Sequence, residues 1–240
     1  MKEERYFYVP DATSTNELPA EEATHALRVL RLQNGDDMYL MDGQGNFYHA
    51  EVSLATHKKC LYTIKENLPQ QKTWHGHIHL AIAPTKNIDR MEWLAEKATE
   101  IGFDELSFLH CAFSERKVLR ADRIEKIVVS AAKQSRKPWM PQVNALESFK
   151  DFITRPREGR KFIAHCYEEI EKKDFFNEIM DDQKNEQITV LVGPEGDFSI
   201  DEVQLAMAQG YESISLGESR LRTETAGLMA VTMAQISLRL

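Results

Sequence analysis

The sequence predicts an α/β protein: a mainly parallel sheet covered by helices over residues 75–240, preceded by a small barrel-like β domain over residues 1–70. Three observations predict it. From residue 78 onward, short apolar runs alternate with helical periodicity, the mark of repeated strand–helix units. Before residue 65 the runs alternate in twos, with turn-forming clusters between them. Between the two lies Glu66-Asn67-Leu68-Pro69-Gln70-Gln71-Lys72, polar and proline-bearing, which reads as a linker.

Each element follows in order. Tyr6-Phe7-Tyr8-Val9 is a strand stopped by Pro10, and a short helix is expected over 25–32. Strands over 37–41 and 47–55 flank the turn cluster Asp42-Gly43-Gln44-Gly45-Asn46, and 60–64 alternates once more. The second domain reads as strand 78–83, helix 88–101, strand 105–110, helix 121–135, strand 161–166, helix 173–180, strand 188–192, helix 200–209, strand 213–216 and helix 223–238. Gly102 and Gly210 stand where C-terminal caps belong, and Ser199-Ile200-Asp201-Glu202 has capping-box spacing. Thr223 is expected to cap the last helix, with Glu224 in its first turn.

Composition narrows the function. The 240 residues carry a net charge of −8, from 30 basic and 38 acidic side chains, which excludes a uniformly basic nucleic-acid coat. Cys60, Cys111 and Cys166 are far apart and form no CxxC pair, so a disulfide framework is not expected. No uncharged apolar run approaches the ~18 residues of a membrane span, and Met1-Lys2-Glu3-Glu4 does not resemble a signal peptide. A soluble, cytoplasmic protein with no membrane partner is the expectation. His75, His77 and His79 alternate on a strand start, yet no acidic or cysteine partner lies near in sequence, so no metal is expected. Cys166 reads as a buried small hydrophobe and Trp93 as helix core.

In an open α/β sheet, ligands gather at the carboxyl ends of strands. Two such ends are unusual: Leu191, Val192, Gly193, Pro194, Glu195 and Gly196, followed by Asp197-Phe198-Ser199; and Leu216-Gly217, leading through Glu218-Ser219-Arg220 to Leu221-Arg222-Thr223-Glu224-Thr225-Ala226. Glycines allow positive φ or a close approach of ligand to bare backbone, and both loops run into helix starts. Such paired loops can form opposite walls of one pocket. A phosphate loop is disfavoured, because no Gly-Lys-Ser/Thr ending follows and Glu195 and Asp197 would repel an anion.

These same residues resemble the paired signature loops of the ribosomal RNA small subunit methyltransferase E family, within the SPOUT class. Further matches are His25-Ala26-Leu27-Arg28-Val29-Leu30-Arg31-Leu32 with Gly35-Asp36, Asp89-Arg90-Met91-Glu92-Trp93, Lys97 to Gly102, and Ser114-Glu115-Arg116. Two departures stand out: Asp197 where the family more often has glycine, and Ser219-Arg220 for a commoner Arg-Ile pair. The resemblance implies a C-terminal knotted SPOUT methyltransferase domain with a deep trefoil knot, a PUA-like RNA-binding N-terminal domain, and a homodimer. It also implies that S-adenosylmethionine is held by Leu191, Val192, Gly193, Pro194, Glu195, Gly196, Leu216, Gly217, Leu221, Thr223, Thr225 and Ala226. The implied reaction is methylation of uridine N-3 in 16S (small-subunit) ribosomal RNA, free or in the assembled small ribosomal subunit, with no DNA partner. Ribose 2′-hydroxyl methylation, or a non-catalytic assembly role, stay open as alternatives.

An acidic chain that binds RNA needs a local excess of cations. Between Cys111 and Trp139 there are eight basic residues against three acidic ones. Arg5, Arg28, Arg31, Arg90, Arg116 and Arg123 are the candidate RNA contacts. Removing a proton from a ring nitrogen calls for a cation or a base beside it, and Arg222 and Glu224 are the catalytic candidates.

Overall fold

The computed structural model describes residues 4–181 and 186–239; the acidic start at 1–3 lies outside them. The chain divides into two units, one comprising residues up to Lys72 with Val129–Met140, the other Thr73–Val128 with the chain from Pro141 onward. Residues 129–140, placed by the sequence in the second domain, therefore belong to the first. They carry Ala132, which is fully buried against Met41 and Phe47, and Met140, which packs on the same cluster. An apolar sheet face has to be covered, and a helix end from far along the chain covers it.

The first unit is a four-stranded sheet in the order β1 (Tyr6–Tyr8), β2 (Asp37–Met41), β3 (Asn46–Ala55), β4 (Cys60–Pro69). The β1–β2 pair is parallel and the others antiparallel; among the described residues no ladder joins β1 to β4. The expected linker is half strand, since Glu66 to Pro69 extend β4 to pair with 46–49. Proline is tolerated there as the last residue of an edge strand. Asp42 closes the β2–β3 turn, its Oδ1 accepting from Gln44 N (2.7 Å) and Asn46 N (3.0 Å). The expected helix at 25–32 begins earlier, as α1 (Ala20–Thr24), and widens into a π-helical turn over His25–Val29. The core beneath is Phe7, Met38, Leu40, Ala50 and Val52 with Tyr62.

The second unit holds a seven-stranded, fully parallel sheet. Its strands are β5 (His77–Ile82), β6 (Glu105–His110), β7 (Gln142–Ser148), β8 (Arg160–Ala164), β9 (Lys173–Asp174), β10 (Gln187–Val192) and β11 (Glu212–Ser215), in the order β7-β6-β5-β10-β8-β11-β9. The helices are α2 (Ile88–Ile101), α3 (Ala121–Ser135, whose residues from Val129 onward belong to the first unit), α4 (Phe149–Thr154), α5 (Phe175–Asp181), α6 (Ile200–Ala208) and α7 (Thr223–Ser237). Strand β7 and helix α4 escaped the sequence reading. Pairing shifts between Leu106/Val143 and Phe108/Leu146, so a bulge breaks the two-residue alternation by which a strand is recognised. The start of the expected helix at 173–180 is β9, with α5 beginning at Phe175.

Several helix ends match their sequence signals. Ser199 and Glu202 form a reciprocal capping box, and Gly102 takes φ 113° as the C-cap of α2. Thr223 does not cap α7: the N-cap is Arg222, without a side-chain cap, and Thr223 is buried in the first turn. Helix α7 packs on α2, β5 and β10, and Gly227 permits that approach. A Cβ there would fall 2.9 Å from Ile82 Cδ1 and 3.2 Å from Leu94 Cδ2. Among the described residues no helix is long and apolar enough to cross a membrane.

Candidate functional site

The parallel register sets three strand ends level. Val192 at the end of β10 pairs with Ala164 at the end of β8, and Ala164 pairs with Ile214 of β11. The loops leaving these strands emerge on one edge of the sheet and enclose a cavity of about 440 Å³. That volume suits a small organic ligand, which typically occupies ~300–1,000 Å³.

The two loops singled out by sequence are its opposite walls. Val192, Gly193, Pro194, Glu195 and Gly196 form one; Leu216, Gly217, Leu221, Arg222, Thr223 and Ala226 form the other, and Arg90 of α2 reaches the rim. Three expected residues lie elsewhere. Leu191 is fully buried in the core with Ala81 and Ile163, because alternation along β10 turns it away from the loop side. Neither Glu224 nor Thr225 lines the cavity. Ser215, Asp197, Ser219 and Arg220 of the same two loops, not expected as binding residues, also line it, and Ala164, His165, Cys166 and Ile214, which the sequence reading missed, complete the lining. The signal for Ala164, His165 and Cys166 was available: they stand at the carboxyl end of a strand, where ligands gather.

Local hydrogen bonds hold the walls. Asp197 adopts φ 66° and uses both carboxylate oxygens, Oδ1 accepting from its neighbour Phe198 N and Oδ2 from Cys166 N, each at 2.7 Å. It thus ties the β10 loop to the end of β8. Glu195 Oε1 accepts from Lys86 N at 2.9 Å, anchoring the same loop to the chain after β5. His165 Nδ1 accepts from Tyr167 N, which leaves Nε2–H to donate to Ser213 Oγ at 2.8 Å. Burial pushes this imidazole below its usual range, so it stays neutral. Cys166, expected buried, is exposed. Local desolvation and the Asp197 carboxylate push its thiol up, so it is no ready nucleophile.

The glycines serve the pocket in different ways. Only Gly217, at φ 116°, uses a conformation closed to other residues, and a Cβ there would meet open space. Gly193 is required by room, since its Cβ would sit 3.0 Å from Phe198 N. Between the glycine-bearing loops the cavity is lined by Val192, Pro194, Ile214, Leu216 and Leu221. Apolar side chains beside loop backbone suit a flat ring whose edge carries both donors and acceptors.

Charge is placed unevenly. Arg222 is exposed on the cavity wall. Glu224, expected as a base, is buried behind it with Oε1 3.7 Å from Arg90 Nε and Oε2 without a hydrogen bond. Arg116 donates to the carbonyls of Thr85 and Lys86, and Arg123 pairs with Glu92, so both are engaged within the fold. Arg28 and Arg31 are exposed in the first unit and Arg5 is half-buried. Trp93, expected in the core, is 43% exposed. His77 and His79 join Glu105, Ser107 and Asn144 in a hydrogen-bonded network across β5, β6 and β7.

A crevice at the carboxyl edge of a parallel sheet, walled by two glycine-bearing loops, defines an α/β protein with a ligand-sized pocket at its strand ends. Family comparison gives the rest. Residues 72–235 match the RNA methyltransferase domain model and residues 18–65 the RNA methyltransferase PUA domain model, and the chain belongs to this RNA methyltransferase family. It is 30% identical over 215 residues to ribosomal RNA small subunit methyltransferase E of Synechocystis, spanning 88% of this chain and 68% of that protein. A probable rRNA-methyltransferase from Porphyromonas gingivalis is 39% identical, with a TM-score of 0.88 over 98% of both chains. Ribosomal RNA small subunit methyltransferase E from Neisseria gonorrhoeae, solved bound to S-adenosyl methionine, is 26% identical with a TM-score of 0.80, again over 98% of each chain.

Proposed function

We propose that this chain methylates the N-3 nitrogen of a uridine in small-subunit ribosomal RNA, with S-adenosylmethionine as methyl donor. The observation that carries this reading is the cavity: main chain on two walls, apolar side chains between them, and an exposed Arg222 at its edge. When bound, S-adenosylmethionine supplies an electrophilic methyl group. The backbone of 192–196 and 214–217 would hold its adenosine part. The chain's own residues must then orient the uracil and stabilise its ring as the N-3 proton passes to solvent water, because the protonated nitrogen is a poor nucleophile. Arg222 supplies a fixed positive charge where negative charge develops on the ring. Glu224 acts by holding Arg90 at the rim rather than by taking the proton.

In this reading the chain works in the cytoplasm as a homodimer, its C-terminal segments drawn into a trefoil knot. Trp93 and Met229 support the dimer, being exposed on the packed helices α2 and α7, where a second copy would cover them. Light scattering should give twice 27.6 kDa.

The test is nucleoside mass spectrometry of ribosomal RNA from cells lacking this protein, complemented with the wild-type chain or Arg222→Met. The deletion should lose 3-methyluridine and the wild type should restore it. The variant should restore little, with a rate at least ~10²-fold lower in vitro and S-adenosylmethionine affinity retained in calorimetry. Unchanged 3-methyluridine together with loss of a ribose-methylated nucleoside would overturn the assignment of N-3.

A further inference from the structure

We propose that one corner of the cavity is a subsite for the amino-acid end of S-adenosylmethionine, in which Arg220 takes the α-carboxylate and Asp197 faces the α-ammonium. This rests on the reading that the methyl donor occupies this cavity. It adds which side chains grip the part of the donor that the loop backbone does not hold, and hence what the site selects.

The lining is divided by polarity. Val192, Pro194, Ile214, Leu216 and Leu221 are apolar, whereas Asp197, Ser219 and Arg220 are polar and stand with Cys166. Three separate segments supply this polar group: the end of β8, the loop after β10 and the loop after β11. A hydrogen bond joins the first two, from Cys166 N to Asp197 Oδ2 at 2.7 Å. The third meets them by charge. Around the Cys166 thiol the Asp197 carboxylate acts in one direction, and Arg220, together with Lys172, in the other. An anion and a cation therefore flank one residue of the cavity wall. The uncharged adenosine part of the donor gains nothing from such a corner. Its amino-acid end carries one charge of each sign on a single carbon, and matches it.

The other charged groups of the lining are already committed. Glu195 Oε1 accepts from Lys86 N, Arg90 lies beside buried Glu224, and Arg222 at the start of α7 is the charge assigned to the uracil. Arg220 is exposed and makes no hydrogen bond or ion pair among the described residues, with Asp197 or any other. Its planar fork of donors is thus available, and that fork matches a carboxylate with two parallel hydrogen bonds. Asp197 is fixed differently. Two main-chain N–H groups hold its carboxylate in place, one on each oxygen, and each oxygen keeps a lone pair for a further donor. A ligand with only an anion would be repelled by Asp197, and one with only a cation by Arg220. The corner selects a zwitterion.

The test is calorimetry on the full chain with three ligands: S-adenosylmethionine, its decarboxylated form, and its deaminated form with hydrogen in place of the ammonium. Arg220→Met should weaken S-adenosylmethionine about tenfold or more, the worth of a charged hydrogen bond, and leave the decarboxylated form within about twofold. The decarboxylated form keeps the sulfonium and the ammonium, so its binding also reports that the variant is folded. Arg220→Lys keeps the charge without the fork and should lie between the unaltered chain and Arg220→Met. The deaminated form should bind the unaltered chain several-fold more weakly than S-adenosylmethionine; equal binding would remove Asp197 from the subsite. Equal weakening of S-adenosylmethionine and its decarboxylated form by Arg220→Met would mean that Arg220 only shapes its loop, and unchanged S-adenosylmethionine affinity that it does not touch the donor. Either result overturns the subsite and leaves the donor in the cavity, provided the unaltered chain binds S-adenosylmethionine. If the unaltered chain binds none of the three, the donor does not occupy this cavity and both readings fall.

Discussion

Asp197 occupies a left-handed backbone position that glycine holds without strain and that aspartate tolerates better than most residues. What it gains there is two hydrogen bonds that glycine cannot make, one of them to Cys166, 31 residues away. Asp197→Gly should therefore relieve the backbone yet lose stability, by about 1–3 kcal/mol for the lost charged acceptors. Urea unfolding would measure that loss, and calorimetry should show weaker S-adenosylmethionine binding; an unchanged midpoint would mean the tie does not hold the wall. The sequence exposed Asp197 as a departure from glycine but could not reveal its partner, because a loop-to-loop bond leaves no mark in local pattern. Arg222 was legible for the opposite reason, since its neighbours form a motif. Glu224 was half legible: its place in the first turn of α7 was visible, and its burial against Arg90 was not. Exposed Cys166 and Trp93 show the same limit, because composition and period describe an element and not its surroundings.

At the scale of elements, α7 couples fold to site. Its first turn carries Thr223 on the cavity wall, and one turn later Gly227 lies against Ile82, Leu94 and Leu80. Gly227→Val would drive two methyl groups into side chains already in contact, an overpacking that costs about 1–3 kcal/mol. The helix should answer partly by moving outward, carrying Arg222 with it. The expected result is a lower thermal midpoint together with a raised KM for S-adenosylmethionine; a lower midpoint with unaltered KM would show that the helix start is held independently. Elements with strong periodicity, such as α2, α3 and β10, were readable from sequence. Elements whose pattern is broken were not: β7 carries a bulge, α4 has only six residues, and β9 only two. The π-helical turn was read as part of an ordinary helix, since its apolar residues fit both.

At the scale of the molecule, buried histidines should shape the response to acid. Burial pushes His79 well below the ordinary imidazole value of 6.5, and His165 shifts the same way. A group with a depressed folded pKa binds its proton first in the unfolded chain, so stability falls as pH drops below 6.5. Glu105 is held low by its hydrogen bond from His77, and its contribution is lost only below its usual 4.5. Between pH 6.5 and 4.5 the histidines therefore dominate, each contributing at most ~1.4 kcal/mol per pH unit. His79→Gln should flatten the stability profile in that window, measured by urea unfolding at pH 5 and 7; an unchanged difference would locate the acid sensitivity elsewhere. Parallel order, strand-end loops and the split into two kinds of structure were all readable before the fold was known. The assignment of residues 129–140 to the first unit was not, because nothing local tells a helix which sheet its far end will cover. That assignment has a practical consequence for anyone who cuts the gene. A polypeptide ending at Lys72 would retain every strand of its sheet and still lose the cap over Met41 and Phe47. Its greasy underside would then be bare to water, inviting precipitation, so this leading segment cannot be transplanted as a self-sufficient cassette.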